Sequence, residues 1–158
     1  MKKINWFKLI IAILVCQSAG WIGSIATVSS VSTWYLDLNK PSFNPPSWVF
    51  GPVWTTLFLL MGIALYLVWN KKGNQAVKNK AMVIFIIQLV LNTTWSFLFF
   101  FFQNPLAAFI EIFVLWLFIL LSIIYFYKIN KTAAYLLIPY ILWVSFAAFL
   151  NYNIVILN

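Results

Sequence analysis

The segment from residue 105 to residue 127 reads PLAAFIEIFVLWLFILLSIIYFY, and Glu111 is its only charged side chain. A helix needs about 20 mostly apolar residues to cross the roughly 30 Å hydrocarbon core of a bilayer. Because a helix satisfies its own backbone hydrogen bonds, it is the default structure for such a segment in lipid. The segment therefore predicts a transmembrane helix, and with it a membrane protein.

Four further segments repeat this pattern and predict more spans. The five predicted spans cover residues 8–30, 47–69, 81–102, 105–127 and 132–156. Asn104 and Pro105 fit a helix N-cap followed by proline at the first helical position, which predicts a tight turn between spans three and four. Nothing marks a second domain, so residues 1–158 are expected to form one all-α, five-helix polytopic membrane bundle.

The composition excludes an ordinary soluble domain. Of the 158 residues, 65% are hydrophobic and 8% are charged, whereas a soluble domain carries roughly a quarter charged residues. The net charge of +8 comes from ten lysines against Asp37 and Glu111. These lysines lie at the ends of apolar runs, where they are typical of membrane topology signals and not of a nucleic-acid surface. We expect a lipid bilayer as a partner and no nucleic acid.

The lysines also predict the orientation of the chain in the membrane. Lys40 stands alone in the first loop, and the other lysines fall on the opposite side of the membrane. They are Lys2, Lys3, Lys8, Lys71, Lys72, Lys78, Lys80, Lys128 and Lys131. The positive-inside rule then places the N-terminus in the cytoplasm and the C-terminus outside the cell membrane.

Acid–base and metal chemistry lack their usual residues. Cys16 is the only cysteine and histidine is absent. The chain therefore forms no internal disulfide and no thiolate zinc site, and it lacks the commonest general base and haem ligand. We expect no metal site and no required cofactor.

The first loop is the longest polar stretch and is rich in aromatic side chains. Residues 34–54 read WYLDLNKPSFNPPSWVFGPVW, with four prolines. Because proline restricts φ and removes a backbone donor, residues 31–46 are predicted to form a stiff, non-helical lid over a ligand. The alternative is an aromatic belt at the membrane interface, which many membrane proteins have.

Span three carries polar side chains on one helical face. Gln88, Asn92, Trp95 and Ser96 follow each other at helical spacing within an otherwise apolar run. Uncharged amides in hydrocarbon must face a partner helix or a cavity. Hydrogen bonds between helices and contacts with a ligand are both open interpretations, and one site can serve both.

Span five predicts a kink and a second aromatic face. Pro139 removes a hydrogen bond from the helix, and a kink is expected there. Tyr140, Trp143, Ala147 and Asn151 share one stripe. A large aromatic beside a small alanine leaves room for a flat ring, although packing of a neighbouring helix at Ala147 is the alternative.

Span one presents small residues at a spacing of four, among them Ala19, Gly20, Gly23 and Thr27. Such a face lets helix backbones approach closely, either inside the bundle or at a homodimer interface. In span four, Glu111 is the only acid well inside a span, which makes it a functional candidate. It could instead reach the outer interface or bond a neighbouring helix.

Taken together, these motifs resemble the TspO/MBR family of tryptophan-rich sensory proteins and translocator (peripheral benzodiazepine receptor) proteins. The resemblance rests on the loop from Trp34 to Trp54, the segment from Gln88 to Ser96, and the segment from Pro139 to Asn151. It covers essentially the whole chain.

The resemblance implies a five-helix bundle, often dimeric, with a pocket beneath the first loop. Family members bind porphyrins, sterols and isoquinoline or benzodiazepine drugs, so the expected function is a receptor or carrier in tetrapyrrole or stress sensing. The implied ligand-binding residues are Trp34, Tyr35, Pro45, Trp54, Asn92, Trp95, Tyr140, Trp143, Phe146 and Ala147. Some bacterial members promote light-dependent breakdown of protoporphyrin, and that role would fall on Trp54 and Trp143.

Two features of the sequence narrow these expectations. Residues 153–158 contain no lysine or arginine, so the sterol-recognition ending of animal members is missing. Without histidine, haem iron could find an axial ligand only in a tyrosine, Met61 or Cys16, so metal-free porphyrin is expected to bind at least as well as haem. The tryptophans divide into an expected pocket set (Trp34, Trp54, Trp95, Trp143) and a belt or packing set (Trp6, Trp21, Trp48, Trp69, Trp116).

Overall fold

The computed structural model describes residues 4–158, and every regular element in that part of the chain is helical. Seven α-helices and one π-helical segment follow one another. They are α1 (Trp6–Val28), α2 (Trp34–Asp37), α3 (Ser47–Asn70), α4 (Gln75–Ser96), the π-helical segment (Phe97–Phe101), α5 (Pro105–Ile129), α6 (Lys131–Tyr135) and α7 (Ile138–Leu157).

The prediction of five membrane spans is confirmed. The spans are formed by α1, by α3, by α4 continued through the π-helical segment, by α5, and by α6 with α7. Their mean hydropathy lies between 1.8 and 2.7, and each is long enough to cross the bilayer. The chain is a multi-pass membrane protein, and its spans begin and end within six residues of the predicted bounds.

Asparagine caps begin most of the long helices. An asparagine side chain at the N-cap accepts a hydrogen bond from a backbone N–H that the helix itself leaves unpaired. Asn104 does so for the N–H of Ala107 at 3.0 Å, with Pro105 at the first helical position, as the sequence predicts. The same contact is made by Asn5, Asn74 and Asn130 at the starts of α1, α4 and α6.

Span five is broken and not merely kinked. α6 ends at Tyr135, residues 136–137 form a turn, and α7 begins with Pro139 in its first turn. Proline is well tolerated there because its missing N–H would have no partner within the helix in any case. The proline therefore marks the start of a new helix.

Small residues of α1 let it pack closely against α3 and α4. A Cβ atom added to Gly20 would lie 2.6 Å from the Phe58 ring, and one added to Gly23 would lie 3.2 Å from the Ser96 hydroxyl. A Cβ on Gly62 of α3 would lie 2.7 Å from the Cα atom of Ile13. The small-residue face of α1 is thus occupied inside the bundle.

The two ends of the bundle differ in charge. One end carries the first loop, with Asp37 and Lys40, and residues 31–46 of this loop are called the lid. The other end, called the lysine end, gathers the remaining described lysines because successive spans alternate in direction. These are Lys8, Lys71, Lys72, Lys78, Lys80, Lys128 and Lys131, while Lys2 and Lys3 lie outside the described residues.

Candidate ligand-binding site

A cavity of about 400 Å³ lies beneath the lid, between the lid-side halves of α1, α3, α4 and α7. This volume falls within the range of sites that hold drug-sized molecules. Aromatic side chains form much of its wall. They include Tyr35, Trp54, Phe58, Trp95, Phe99 and Trp143.

Aromatic pairs along the cavity hold their rings in fixed relative positions. The rings of Trp95 and Phe99 stack with centroids 5.1 Å apart and an angle of 21° between planes. On the α3 side, Trp54 and Phe58 lie 5.6 Å apart at 30°. The first pair is stacked and the second is tilted, and both give the wall apolar ring surfaces of the kind that an aromatic ligand packs against.

A buried hydrogen-bonded chain orients the amide of Asn92. Its Nδ2 donates to the hydroxyl of Tyr140 at 3.0 Å, and that hydroxyl donates to Oε1 of Gln88 at 2.9 Å. Within the described residues, Asn92 Oδ1 and the Ser96 hydroxyl make no hydrogen bond, and both residues line the cavity. The cavity thus has a small number of polar groups in an apolar wall, as small-molecule sites usually do.

Trp95 is held by a second polar chain that joins three helices. Its Nε1 donates to Oδ1 of Asn151 at 3.2 Å, and Nδ2 of Asn151 donates to the carbonyl of Pro105 at 2.9 Å. This carbonyl is therefore paired by a side chain from α7. The indole ring is fixed by α7 while α4 carries it.

The π-helical segment places further aromatic rings in the cavity. The N–H of Phe102 donates to the carbonyl of Phe97 at 2.9 Å, a spacing of five residues that widens the helix. Both Phe99 and Phe100 then line the cavity. The Ser30 hydroxyl donates to the Phe100 carbonyl at 2.8 Å, which supplies that carbonyl with a partner from outside the helix. Such bulges occur frequently at functional sites.

The lid contains one helical turn, so the prediction of an entirely non-helical lid is wrong. The turn is α2, and Lys40 stabilises it. The Lys40 ammonium donates to the backbone carbonyls of Tyr35 at 2.7 Å, Leu36 at 3.1 Å and Leu38 at 2.8 Å. Carbonyls at a helix C-terminus have no partner within the helix, and a cation there satisfies them. The proline-rich remainder of the lid is not helical.

Tyr35 points inward from the lid and lies at the cavity. Its hydroxyl donates to Oδ1 of Asn44 at 3.2 Å. Burial raises the pKa of the Tyr35 phenol above its usual value of 10. The phenol is therefore neutral at physiological pH and keeps its role as a hydrogen-bond donor.

The lid is also tied to the end of α7. The N–H of Asn39 donates to Oδ1 of Asn158 at 2.9 Å, and Nδ2 of Asn158 donates to the Asn39 carbonyl at 3.0 Å. Further along the lid, the rings of Phe43 and Phe149 stack at 5.3 Å. The lid therefore has fixed contacts on α7 as well as within itself.

The structure brings most of the predicted ligand-binding residues together and separates the others. Those that line the cavity are Tyr35, Trp54, Asn92, Trp95, Trp143 and Ala147. Trp34 does not line it and packs edge-on against Phe99 at 5.7 Å. Tyr140 is 1% exposed and lies behind Asn92. Pro45 and Phe146 line a separate shallow depression on the outside of Trp143.

Residues of α1 that were not predicted as site residues form one wall of the cavity. They are Gln17, Ala19, Gly20, Trp21, Gly23, Ser24, Thr27 and Val28. Trp21 was expected to serve as a belt or packing residue. The stripe of small and hydroxyl side chains on α1 was the available signal, but it was interpreted only as a packing face.

The cavity opens sideways between α1 and α3. On the α1 side of the opening Trp21 is 61% exposed, and on the α3 side Gly51 and Thr55 are exposed. Towards the lysine end the opening is closed where Nε2 of Gln17 donates to the Thr55 carbonyl at 3.1 Å. The opening therefore lies along a side of the bundle that faces lipid.

Glu111 lies inside the bundle and outside the cavity lining. Both of its carboxyl oxygens are buried, and neither has a hydrogen-bond partner in the described part of the chain. The expectations that it reaches the outer interface or bonds a neighbouring helix are therefore wrong. Nε2 of Gln88 is likewise buried without a partner.

Five apolar spans, four of which line an aromatic cavity beneath a proline-rich lid, define a multi-pass helical membrane protein with a site of small-molecule size. The TspO/MBR family model matches residues 12–157. The chain belongs to this family.

Curated relatives agree with this assignment over three quarters of the chain or more. The chain is 45% identical to the tryptophan-rich protein TspO of Chlorobaculum tepidum, with 95% of both chains covered. It is 30% identical to the tryptophan-rich sensory protein of Cereibacter sphaeroides, covering 99% of this chain and 94% of that protein. It is 38% identical to the human translocator protein, over 75% of this chain and 71% of that one.

Proposed function

We propose that the protein is a membrane receptor or carrier that binds porphyrins, protoporphyrin IX in particular, and other flat hydrophobic molecules such as isoquinoline or benzodiazepine drugs. The site is the cavity beneath the lid, and the role is tetrapyrrole or stress sensing. The observation that carries the proposal is the combination of paired aromatic rings with few polar groups in one cavity.

A flat macrocycle suits this wall because stacking and apolar burial both favour it. Each Å² of apolar surface removed from water contributes about 25 cal/mol. The groups that orient the ligand are Oδ1 of Asn92, which accepts, and the Ser96 hydroxyl, which both donates and accepts. Tyr140 contributes indirectly because its hydroxyl holds the Asn92 amide in place.

The cavity offers haem few axial ligands, with Tyr35 as the tyrosine in its wall. Met61 and Cys16, two of the possible axial ligands, are each 0% exposed and lie in the core outside the cavity lining. A metal-free porphyrin has pyrrole N–H groups that can donate to an acceptor such as Asn92 Oδ1. We expect it to bind at least as tightly as haem, and a clearly tighter haem titration would overturn this.

The test is a titration of purified protein with protoporphyrin, haem, an isoquinoline drug and a sterol. Binding is followed by tryptophan quenching and by the absorbance of the porphyrins. We expect Trp143→Ala to weaken porphyrin binding roughly tenfold, since it removes a stacking surface. Trp48→Ala is the matched control, because Trp48 is 76% exposed and outside the cavity lining. Equal losses in both variants, or no binding of any ligand, would contradict the proposal. The sterol is expected to bind weakest.

A second candidate function is light-dependent degradation of the bound porphyrin. It is favoured by the position of Trp54 and Trp143, which both line the cavity and would contact the ring as redox partners. The porphyrin would supply the light absorption and dissolved dioxygen would be the oxidant, so no bound cofactor is expected. Illumination of the complex tests it. If wild type bleaches porphyrin no faster than Trp143→Phe, this function fails while the receptor proposal stands.

We also propose that the protein forms a homodimer, although not through the small-residue face of α1. That face is turned into the bundle, where Gly20 and Gly23 lie close to Phe58 and Ser96 and where it also lines the cavity. The expected result is a mass of twice 18.3 kDa for the protein component in a detergent-corrected light-scattering measurement. A mass of one chain at the same concentration would exclude it.

A further inference from the structure

The lysine end carries positive charge that no acid of the chain offsets. The chain has two acids. Asp37 lies at the end of α2, on the lid side, and Glu111 is buried within α5. The charge at the lysine end must therefore be balanced from outside the chain.

Two of these lysines converge on one aromatic ring. The ammonium of Lys80, on α4, lies 5.2 Å from the centroid of the Tyr125 ring. The ammonium of Lys128, on the neighbouring α5, lies 5.1 Å from the same centroid. Contact with a ring stabilises an ammonium but leaves its charge in place. Two like charges beside one ring repel each other, so the arrangement favours a bound anion that offsets them.

The chemistry of this group fits a phosphodiester. Each ammonium has three N–H donors, and the Tyr125 hydroxyl supplies one more. A phosphodiester carries one negative charge on two free oxygens, and these oxygens can accept hydrogen bonds from such donors. Lys80 and Lys128 are both exposed and available for such contacts.

The surroundings of the group indicate a lipid as the source of the phosphodiester. Lys80 lies near the start of α4 and Lys128 in the last turn of α5, at the depth where a span reaches the headgroup region. One helical turn further into the membrane, Val83 is 58% exposed and Ile124 is 41% exposed. An acyl chain can lie along this apolar surface while its headgroup is bound above it.

We propose that Lys80, Lys128 and Tyr125 form a binding site for the phosphodiester headgroup of an anionic membrane lipid such as phosphatidylglycerol. Basic groups between spans are a known means of binding anionic headgroups. The site is at the opposite end of the bundle from the lid cavity. If the lipid proposal fails, the proposed porphyrin function still stands, and if the porphyrin function fails, the lipid proposal still stands.

The test compares lipid retention by the detergent-purified protein in native mass spectrometry. Phosphatidylglycerol and phosphatidylcholine are offered separately. We expect wild type to retain one phosphatidylglycerol and to release phosphatidylcholine, and the variant with Lys80→Gln and Lys128→Gln to bind phosphatidylglycerol roughly tenfold more weakly.

The matched control is Lys71→Gln with Lys72→Gln. It removes the same charge from the same end, and neither side chain contacts an aromatic ring or makes a hydrogen bond among the described residues. Equal losses in the two double variants would show a general charge effect and overturn the site. Lys80→Arg with Lys128→Arg should retain the lipid, and this variant guards against a loss caused by misfolding.

A competition experiment with a water-soluble phosphate shows whether the site binds a lipid headgroup or a free phosphate. Glycerol phosphate is added in competition with phosphatidylglycerol. We expect little displacement, because the free headgroup lacks the acyl chain that lies along Val83 and Ile124. Displacement at concentrations similar to those of the lipid would assign the site to a soluble phosphate and overturn the lipid proposal.

Discussion

At the scale of single residues, the Tyr140 hydroxyl holds two buried amides in place beside the cavity. It accepts from Asn92 on one side and donates to Gln88 on the other, so two amides of α4 depend on one phenol of α7. All three side chains are buried. An unpaired polar group in a buried site costs free energy. Removal of the hydroxyl should therefore destabilise the protein, because both amides lose a hydrogen-bond partner.

We therefore predict that Tyr140→Phe lowers the free energy of unfolding by about 1–3 kcal/mol. It should also weaken porphyrin binding, because the Asn92 amide becomes free to rotate. Tyr152→Phe is the control, since Tyr152 is 45% exposed and its hydroxyl has no hydrogen bond in the described structure. Denaturant or thermal unfolding in detergent measures both variants. Similar losses in the two would contradict the role given to Tyr140.

The sequence predicts which helical face is polar but not how deep each residue lies. Gln88 and Asn92 share one face by their spacing, yet Asn92 lines the cavity and Gln88 lies behind it. Trp34 and Trp21 exchange their expected roles for a similar reason. Which tryptophan reaches the cavity depends on the position of the lid over α1, and no local pattern contains that position.

At the scale of elements, the lid depends strongly on Lys40. An isolated helical turn such as α2 is unstable because it fixes several backbone angles for few hydrogen bonds. The Lys40 ammonium binds three carbonyls at or beside that turn and lies 4.9 Å from the centroid of the Tyr35 ring. Tyr35 is thereby held at the cavity.

We predict that Lys40→Gln loosens the lid and speeds ligand dissociation roughly tenfold, the loss equivalent to one hydrogen bond to a charged group. The association rate should change less, because the side opening between α1 and α3 does not involve Lys40. Stopped-flow displacement of bound porphyrin measures both rates. Lys72→Gln removes the same charge at the other end and serves as control. An unchanged dissociation rate in Lys40→Gln would show that the prolines alone fix the lid.

The contact between α1 and α3 predicts different effects on stability for alanine substitutions at two glycines of α3, Gly62 and Gly51. In Gly62→Ala the new methyl would lie 2.7 Å from the Cα atom of Ile13, so we expect a loss of about 1–3 kcal/mol in unfolding free energy. In Gly51→Ala the methyl meets nothing within 4 Å. Alanine is also the better helix former, so stability should stay equal or rise slightly. Comparable destabilisation of both variants in thermal unfolding would contradict this packing.

The elements that the sequence predicts are those that apolar length and local caps determine. The five spans and the Asn104–Pro105 turn belong to this group. The π-helical segment and α2 do not, because each depends on a side chain outside the element itself. The Ser30 hydroxyl reaches a carbonyl of the π-helical segment, and Lys40 reaches back to the carbonyls of α2. Their amino-acid patterns alone are compatible with ordinary helix and loop.

At the scale of the whole molecule, the separation of the lysines from the lid predicts orientation. We expect the lysine end to face the cytoplasm and the lid to face outward. Single cysteines introduced by Ser42→Cys and Gly73→Cys, in a Cys16→Ala background, test this in intact cells. A membrane-impermeant maleimide should label the lid cysteine at once and the Gly73 position only after permeabilisation. The reverse pattern would invert the topology. Cys16 itself is 0% exposed.

The unequal spacing of α1 and α3 along their length bears on selectivity. Near Gly62 the two backbones are in contact, whereas beside the lid a gap separates them. A rotation about the close contact would widen the gap while leaving the core around Met61 intact. Ligands of different thickness could then bind at the same site, and the conformational energy of the protein would differ little between them. Discrimination among ligands would depend on ring shape and polar edge more than on bulk.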